Sequence, residues 1–205
     1  TPGVVLTFDP HPVQVLHPER GLKRLFSVED LKEQVAKAGI DILVIEHFDV
    51  NLAKLPAERF LRELVWPALN PKEMVVGQDF SIGANRDGTL EFLQTWCAKH
   101  HVRLWIQPPI EVERERVSSR RIRELVMAGE VQAAIKFLGR PFSLEGTVEW
   151  GAGRGKQLNV PTANLKISNF VAPRAGVYVT NTIVGGQNYP SVRHLGVRPT
   201  VGTGA

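Results

Sequence analysis

The sequence holds one cysteine, Cys97, and only two methionines and two tyrosines. A lone thiol excludes an internal disulfide and a cysteine-built metal cluster, as suits a reducing compartment, and Cys97 falls on the apolar face of a helical pattern, where core packing is its expected role. Long apolar runs are also lacking. Nothing approaches the ~18 to 20 residues of a membrane span, and no secretory pattern opens the chain, so the expected location is cytoplasmic with no membrane partner. Charge of one sign is scarce too: 25 Lys and Arg against 21 Asp and Glu leave a formal +4. That mild excess suits an anionic ligand. The densest basic cluster, Arg114 to Arg123, is bordered and interrupted by Glu113 and Glu115, and aromatics are not interleaved with its cations. A nucleic-acid-binding stripe is therefore not expected.

What is present is strongest between Gly151 and Leu165. Gly151, Gly153 and Gly155 permit positive φ and close backbone approach, while Arg154 and Lys156 add charge, a combination suited to phosphate. Two familiar motifs nevertheless fail. The Walker pattern would need glycine at Trp150 and a hydroxyl at Gln157, and the dinucleotide pattern breaks at Lys156. Next to this loop, Pro161 stiffens the backbone ahead of Thr162 and Asn164, whose oxygens suit Mg²⁺ held together with phosphate oxygens. An isolated Thr-x-Asn equally describes a side-chain-stabilised turn.

The first two thirds alternate strand and helix signals. Val4 to Phe8, Ile42 to Ile45, Glu73 to Gly77 and Val102 to Ile106 are apolar strand runs. Between them lie a capping-box-like start at Ser27 to Asp30 with Gly39 as the stop, a helical face at Phe60, Leu61, Leu64, Val65 and Ala68, and a helix capped by Thr89. Two more helices follow, the first capped by Ser119 and ended by Gly129, the second ended by Gly139. This alternation predicts a parallel sheet covered on both faces, with ligands outside the carboxyl ends of its strands. The loops so selected run from Phe8 to Pro12, Gly77 to Gly88 and Pro108 to Arg123. Asp79 could accept from ribose or base donors. Ser118, Ser119, Arg120 and Arg123 at a helix start match a triphosphate.

Helical spacing stops near Gly139 to Pro141. The rest reads as short strands (Ser143 to Val148, Val177 to Thr180, Thr182 to Val184, Tyr189 to Leu195) with a hairpin turn at Val184 to Gln187, predicting a small antiparallel barrel or sandwich. The expectation is therefore an α/β chain with domains at 1–139 and 140–205, the second too short to close a barrel. An opening inside a strand and the stop at Ala205 predict a fragment.

Seven motifs stand in order: Phe8-Asp-Pro-His-Pro12, Val76-Gly-Gln-Asp-Phe80, Val117-Ser-Ser-Arg-Arg-Ile-Arg123, Leu138-Gly-Arg-Pro141, Pro161-Thr-Ala-Asn-Leu165, Gly176-Val-Tyr178 and Gly196-Val-Arg-Pro-Thr200. In these the chain resembles the bacterial bifunctional riboflavin kinase/FMN adenylyltransferase family. The resemblance implies a Rossmann-like nucleotidylyltransferase domain that moves AMP from ATP onto FMN, then a β-barrel that moves the ATP γ-phosphate onto riboflavin, both with Mg²⁺. It implies Phe8, Pro10 and Pro12 beside the flavin, Asp79 at the adenosine, and Ser118, Ser119 and Arg123 on the triphosphate. In the second domain it implies Thr162 and Asn164 on Mg²⁺-ATP under a cover formed by Gly151, Gly153, Gly155 and Lys156. The family's histidine-rich loop is expected before Thr1 and its general-base glutamate after Ala205, so no catalytic residue is assigned within the chain. Arg120, Lys156 and Asn159-Val160 depart from the family pattern. The alternative is a catalytically silent flavin- or nucleotide-binding module.

Overall fold

The computed structural model describes residues 2–149 and 162–196. The chain forms two compact units, Thr1–Leu22 with Val28–Glu111, and Lys23–Ser27 with Val112–Ala205. Its class is mixed α/β.

In the first unit, β1 (Val4–Asp9) runs parallel to β2 (Ile42–His47), with Val4 opposite Ile42 and Asp9 opposite His47. The connection carries α1 (Pro12–Leu16) and α2 (Val28–Lys37), and Gly39, at φ 75°, follows α2 in the left-handed region that glycine adopts without strain. After β2 comes α3 (Val50–Ala53), capped by Asp49, which accepts from the amides of Leu52 and Asn51. Those bonds, Leu52 foremost, hold the Asp49 carboxyl below its ordinary range. Then α4 (Ala57–Phe60), a π-helical turn (Leu61–Val65) and α5 (Trp66–Leu69) run on continuously. The Trp66 amide reaches Leu61 O. This widened turn lies just before Pro67, whose ring and missing N–H cannot serve an ordinary helical bond.

A second parallel pair joins β3 (Glu73–Gly77) to β4 (Arg103–Gln107) through α6 (Leu90–Lys99), whose cap Thr89 accepts from Phe92 N at 3.3 Å. The core of this unit is Phe60, Leu61, Val65, Leu93, Trp96, Cys97 and Val102. Burying each large side chain contributes roughly 2 kcal/mol. Cys97 is 1% exposed, and burial pushes its thiol up. Trp96 stacks on His100 at 4.1 Å and meets Trp66 edge-on at 5.7 Å. Its buried Nε1 finds no acceptor among the described residues.

Parallel pairing agrees with the alternation of signals, but one continuous four-stranded sheet does not form among the described residues: β1 bonds to β2, and β3 to β4. Local pattern sets the direction of a strand pair, while strand order is decided by long-range packing. The expected cover on both faces is likewise incomplete, with Val75 at 68% and Trp105 at 52% exposure.

The second unit starts from the connecting strands β5 (Glu111–Val112) and β6 (Glu115–Arg116), followed by α7 (Ser119–Ala128) and α8 (Val131–Leu138). Both helices end on left-handed glycines, Gly129 and Gly139. Residues 23–27 form a strap against this unit. Arg24 N donates to Asn169 O at 2.9 Å and Val171 N to Arg24 O at 2.8 Å. Leu25 and Val171 thereby join Ile122, Leu125, Val126 and Ala134 in one core.

Two antiparallel pairs complete the unit: β7 (Thr147–Glu149) with β8 (Asn164–Lys166), and β9 (Gly176–Val184) with β10 (Gln187–Leu195). Gly185 and Gly186 both have positive φ and make the two-residue turn expected there. Val177 to Val184 is one strand rather than two, because Asn181 stays extended opposite Pro190. No closed barrel is formed among the described residues.

Candidate functional site

In the first unit, two loops at carboxyl ends of strands carry the candidate residues. Phe8 ends β1 with its ring edge-on to Phe48 at 5.4 Å and tilted against Phe60 at 6.0 Å, so it is anchored in the core. Asp9-Pro10 is a cis peptide. Pro12 is the first residue of α1, and His11 caps that helix: its Nδ1 accepts from Val13 N at 3.2 Å, while Gln14 Oε1 accepts from His11 N at 3.2 Å. This capping box was readable in the sequence from proline at the first helical position and glutamine two residues later.

The loop after β3 is tightly built. Ile82 and Gly88 exchange backbone bonds of 3.1 and 2.9 Å, and the Asp87 carboxylate accepts from Ala57 N at 3.2 and 3.3 Å. Gly83 has φ 76°, and a Cβ there would fall 2.1 Å from Asp87 Oδ1 and 2.4 Å from Ala57 N, so no larger residue fits. Arg86 Nε donates to Ser81 Oγ at 2.7 Å. Asp79 is exposed in the turn that follows β3, and Phe80 packs against the same core as Phe8. The clasp of Asp87 on Ala57 is a contact across thirty positions, which no local pattern announces.

In the second unit, Ser118 rather than Ser119 caps α7: its Oγ accepts from Arg121 N at 3.2 Å. The chain is still extended at Ser118 and helical at Ser119, a one-residue difference that two adjacent serines leave undecided. Ser119 is exposed on the first turn. Arg120 pairs with Glu124 at 2.9 Å and Arg121 with Glu115 at 2.7 Å. Arg123 is half-buried and its Nε donates to Lys23 O at 3.0 Å; burial pulls its pKa below the ordinary arginine range, leaving it cationic. Every guanidinium of this turn thus has a protein partner.

Asn164 opens β8 opposite Glu149, and Thr162 is exposed two residues earlier. An amide oxygen and a hydroxyl oxygen are hard donors that fit Mg²⁺ together with phosphate. Gly151, Gly153, Gly155, Lys156 and Asn159 lie outside the described residues. The described residues contain no cluster of three or more His, Cys, Asp and Glu able to hold a metal, and no helix long and apolar enough to cross a membrane. One polar group has no counterpart in the sequence reading: Thr180, Thr182, Ser191 and Arg193, joined across β9 and β10. Its signal was a period-two alternation, Thr-x-Thr then Ser-x-Arg, on a hairpin.

Two family models match, one described as FAD synthetase over residues 1–121 and one as riboflavin kinase over residues 138–205. Among curated relatives, a "Bifunctional riboflavin kinase/FMN adenylyltransferase" of Pseudomonas fluorescens is 33% identical over 98% of this chain and 64% of its own length. Proteins of the same name from Listeria monocytogenes and Escherichia coli K12 are 31% and 29% identical, over 62% and 64% of their lengths. This chain therefore spans less than two thirds of these relatives. A solved structure titled as a macrolide-efflux protein from Streptococcus pneumoniae superposes with a TM-score of 0.85 at 30% identity, covering 98% of this chain and 65% of that one.

Proposed function

The chain belongs to the FAD synthetase family, and from that premise we propose that its protein phosphorylates riboflavin to FMN and adenylylates FMN to FAD. In the first reaction the ribityl hydroxyl takes the γ-phosphoryl group of ATP and ADP leaves. In the second, the FMN phosphate takes AMP and pyrophosphate leaves. The supporting observation is the order of two matched regions along one chain, an adenylylating family first and a phosphorylating family second. We assign residues 1–139, with a Rossmann-like sheet, to adenylylation and residues 140–205, as part of a β-barrel, to phosphorylation. The compact units divide near residue 111, and the assignment of residues 112–139 to adenylylation rests on the serine and arginine motif at the start of α7.

In this reading Phe8, Pro10 and Pro12 border the flavin. The support is mechanical: a core-anchored ring beside two prolines gives a stiff apolar edge for a flat ligand. Asp79 lies at the adenosine. Ser118 and Ser119 present the start of α7, whose positive dipole end favours the triphosphate. Arg123 adds charge there, with one donor already held by Lys23 O. Thr162 and Asn164 would hold Mg²⁺, which when bound supplies charge neutralisation at the phosphates, under a cover from Gly151, Gly153, Gly155 and Lys156. The cytoplasm is the proposed setting, with riboflavin, FMN and ATP as ligands.

The test is incubation of the complete protein with riboflavin, ATP and Mg²⁺, followed by separation of the flavins. FMN and then FAD are expected. Unchanged riboflavin despite measurable flavin binding would instead favour a silent binding module.

A further inference from the structure

The two strands of the β9–β10 hairpin put strongly different chemistry on their two faces. One face carries Val177, Val179, Ile183 and Val192, all exposed, with Val179 at 91%. The other carries half-buried Thr180, Thr182, Ser191 and Arg193. Ser191 Oγ is 2.8 Å from Thr180 Oγ1 and 2.6 Å from Thr182 Oγ1, and Arg193 donates to Thr182 Oγ1 at 3.1 Å. Arg193 stands opposite Tyr178 in the register, so its side chain runs along the ladder to reach Thr182, four positions on. Tyr178, on the same face, donates its hydroxyl to Arg174 O at 2.6 Å and so is already committed.

This guanidinium differs from those of Arg120 and Arg121 on α7, and resembles that of Arg123, whose partner is the neutral Lys23 O. Arg120 and Arg121 have carboxylate partners, whereas the one contact Arg193 makes among the described residues is to a neutral hydroxyl. Most of the five donors of this fork are uncommitted among the described residues, which leaves them available to an anion. Ser191 Oγ also lies 3.2 Å from Thr180 O, so its single hydrogen is spent inside the cluster; with Thr180 donating to Ser191 and Ser191 to Thr182, the Thr182 hydroxyl keeps its own hydrogen as a donor beside the fork. A planar fork flanked by a hydroxyl donor matches a tetrahedral oxyanion.

We propose that Arg193 and Thr182, with Ser191 orienting the Thr182 hydroxyl, form an anion subsite on the β9–β10 hairpin that takes a phosphate group, either free orthophosphate or the phosphate of a phosphorylated ligand. The inference stands on the hairpin's own geometry and does not depend on the flavin chemistry above. A purely structural ladder, fixing hairpin register, is the competing account.

The complete protein is titrated with orthophosphate, and separately with FMN, at constant ionic strength set by chloride, while the Arg193 Nε–Hε resonance and the Thr182 and Ser191 amides are followed by NMR. Saturable shifts are expected with a Kd of roughly 1 mM for orthophosphate, weakened at least about tenfold in Arg193→Gln and largely restored in Arg193→Lys. Tighter binding of FMN at the same resonances identifies a phosphorylated ligand as the source, and equal binding identifies the phosphate group alone; either supports the subsite. Shifts no larger than chloride produces, or equal affinity in Arg193→Gln, would overturn it. Should Arg193→Gln fail to fold, the wild-type titration and Thr182→Val decide, since Thr182→Val must also weaken phosphate binding.

Discussion

Gly129 and Tyr178 meet so closely that a Cβ on the glycine would stand 3.1 Å from the phenol oxygen. Gly129 closes α7 at φ 83°, and the Tyr178 hydroxyl is held by Arg174 O. The α7–α8 turn is therefore seated on β9 by one left-handed glycine. Gly129→Ala combines backbone strain with crowding, and is expected to cost about 1 to 2 kcal/mol. Urea unfolding followed by circular dichroism checks this. An unchanged midpoint would mean that the turn is not seated as described.

The two serines before α7 separate cleanly by stability. Ser118→Ala removes the cap of Arg121 N and should cost about 1 kcal/mol, whereas Ser119→Ala, on an exposed first turn, should leave the midpoint unchanged. The reverse order would restore Ser119 as the cap.

Much of this architecture was legible locally. Thr89, Gly129 and Gly139 mark helix ends by their own conformational preferences, and Gly185-Gly186 marks the hairpin, because caps and turns depend on residues a few positions apart. What was not legible depends on distance in the chain. The strap at residues 23–27 is defined by bonds from Arg24 to Asn169 and Val171. The Asp87 clasp needs Ala57 brought to it. At Phe8 the sequence marked an apolar ring in a stiff loop, but its anchoring on Phe48 and Phe60 required the fold.

Gly39 and Gly83 form a natural pair for testing the clasp. Both have positive φ, but a Cβ on Gly39 meets nothing within 4 Å, while one on Gly83 collides with Asp87 and Ala57. Gly39→Ala should cost about 1 kcal/mol. Gly83→Ala should cost clearly more, above ~3 kcal/mol, because backbone must move. Equal losses in urea unfolding would contradict the clasp.

Glu63 gives a pH prediction. Arg59 and then Arg62 hydrogen-bond its carboxylate and hold its pKa at about 2, below the ordinary 4.5. A depressed acid stabilises the fold above its unfolded pKa, and that contribution is lost as pH falls from about 4.5 through about 2. Carboxyl NMR should place the midpoint near 2 in the wild type and move it up in Arg59→Ala. An unmoved midpoint would show that the pair is not formed. Because the site is exposed, salt should weaken the effect.

In the proposed function, two separate sites of the complete protein act in turn on one flavin. The most direct test assays riboflavin phosphorylation and adenylylation of supplied FMN separately, in the complete protein carrying Asn164→Ala. FMN formation should fall beyond the ~10- to 100-fold typical of outer-shell metal partners, with FAD formation from FMN kept within about twofold of wild type. Loss of both reactions together, or FMN formation at the wild-type rate, would contradict that proposal.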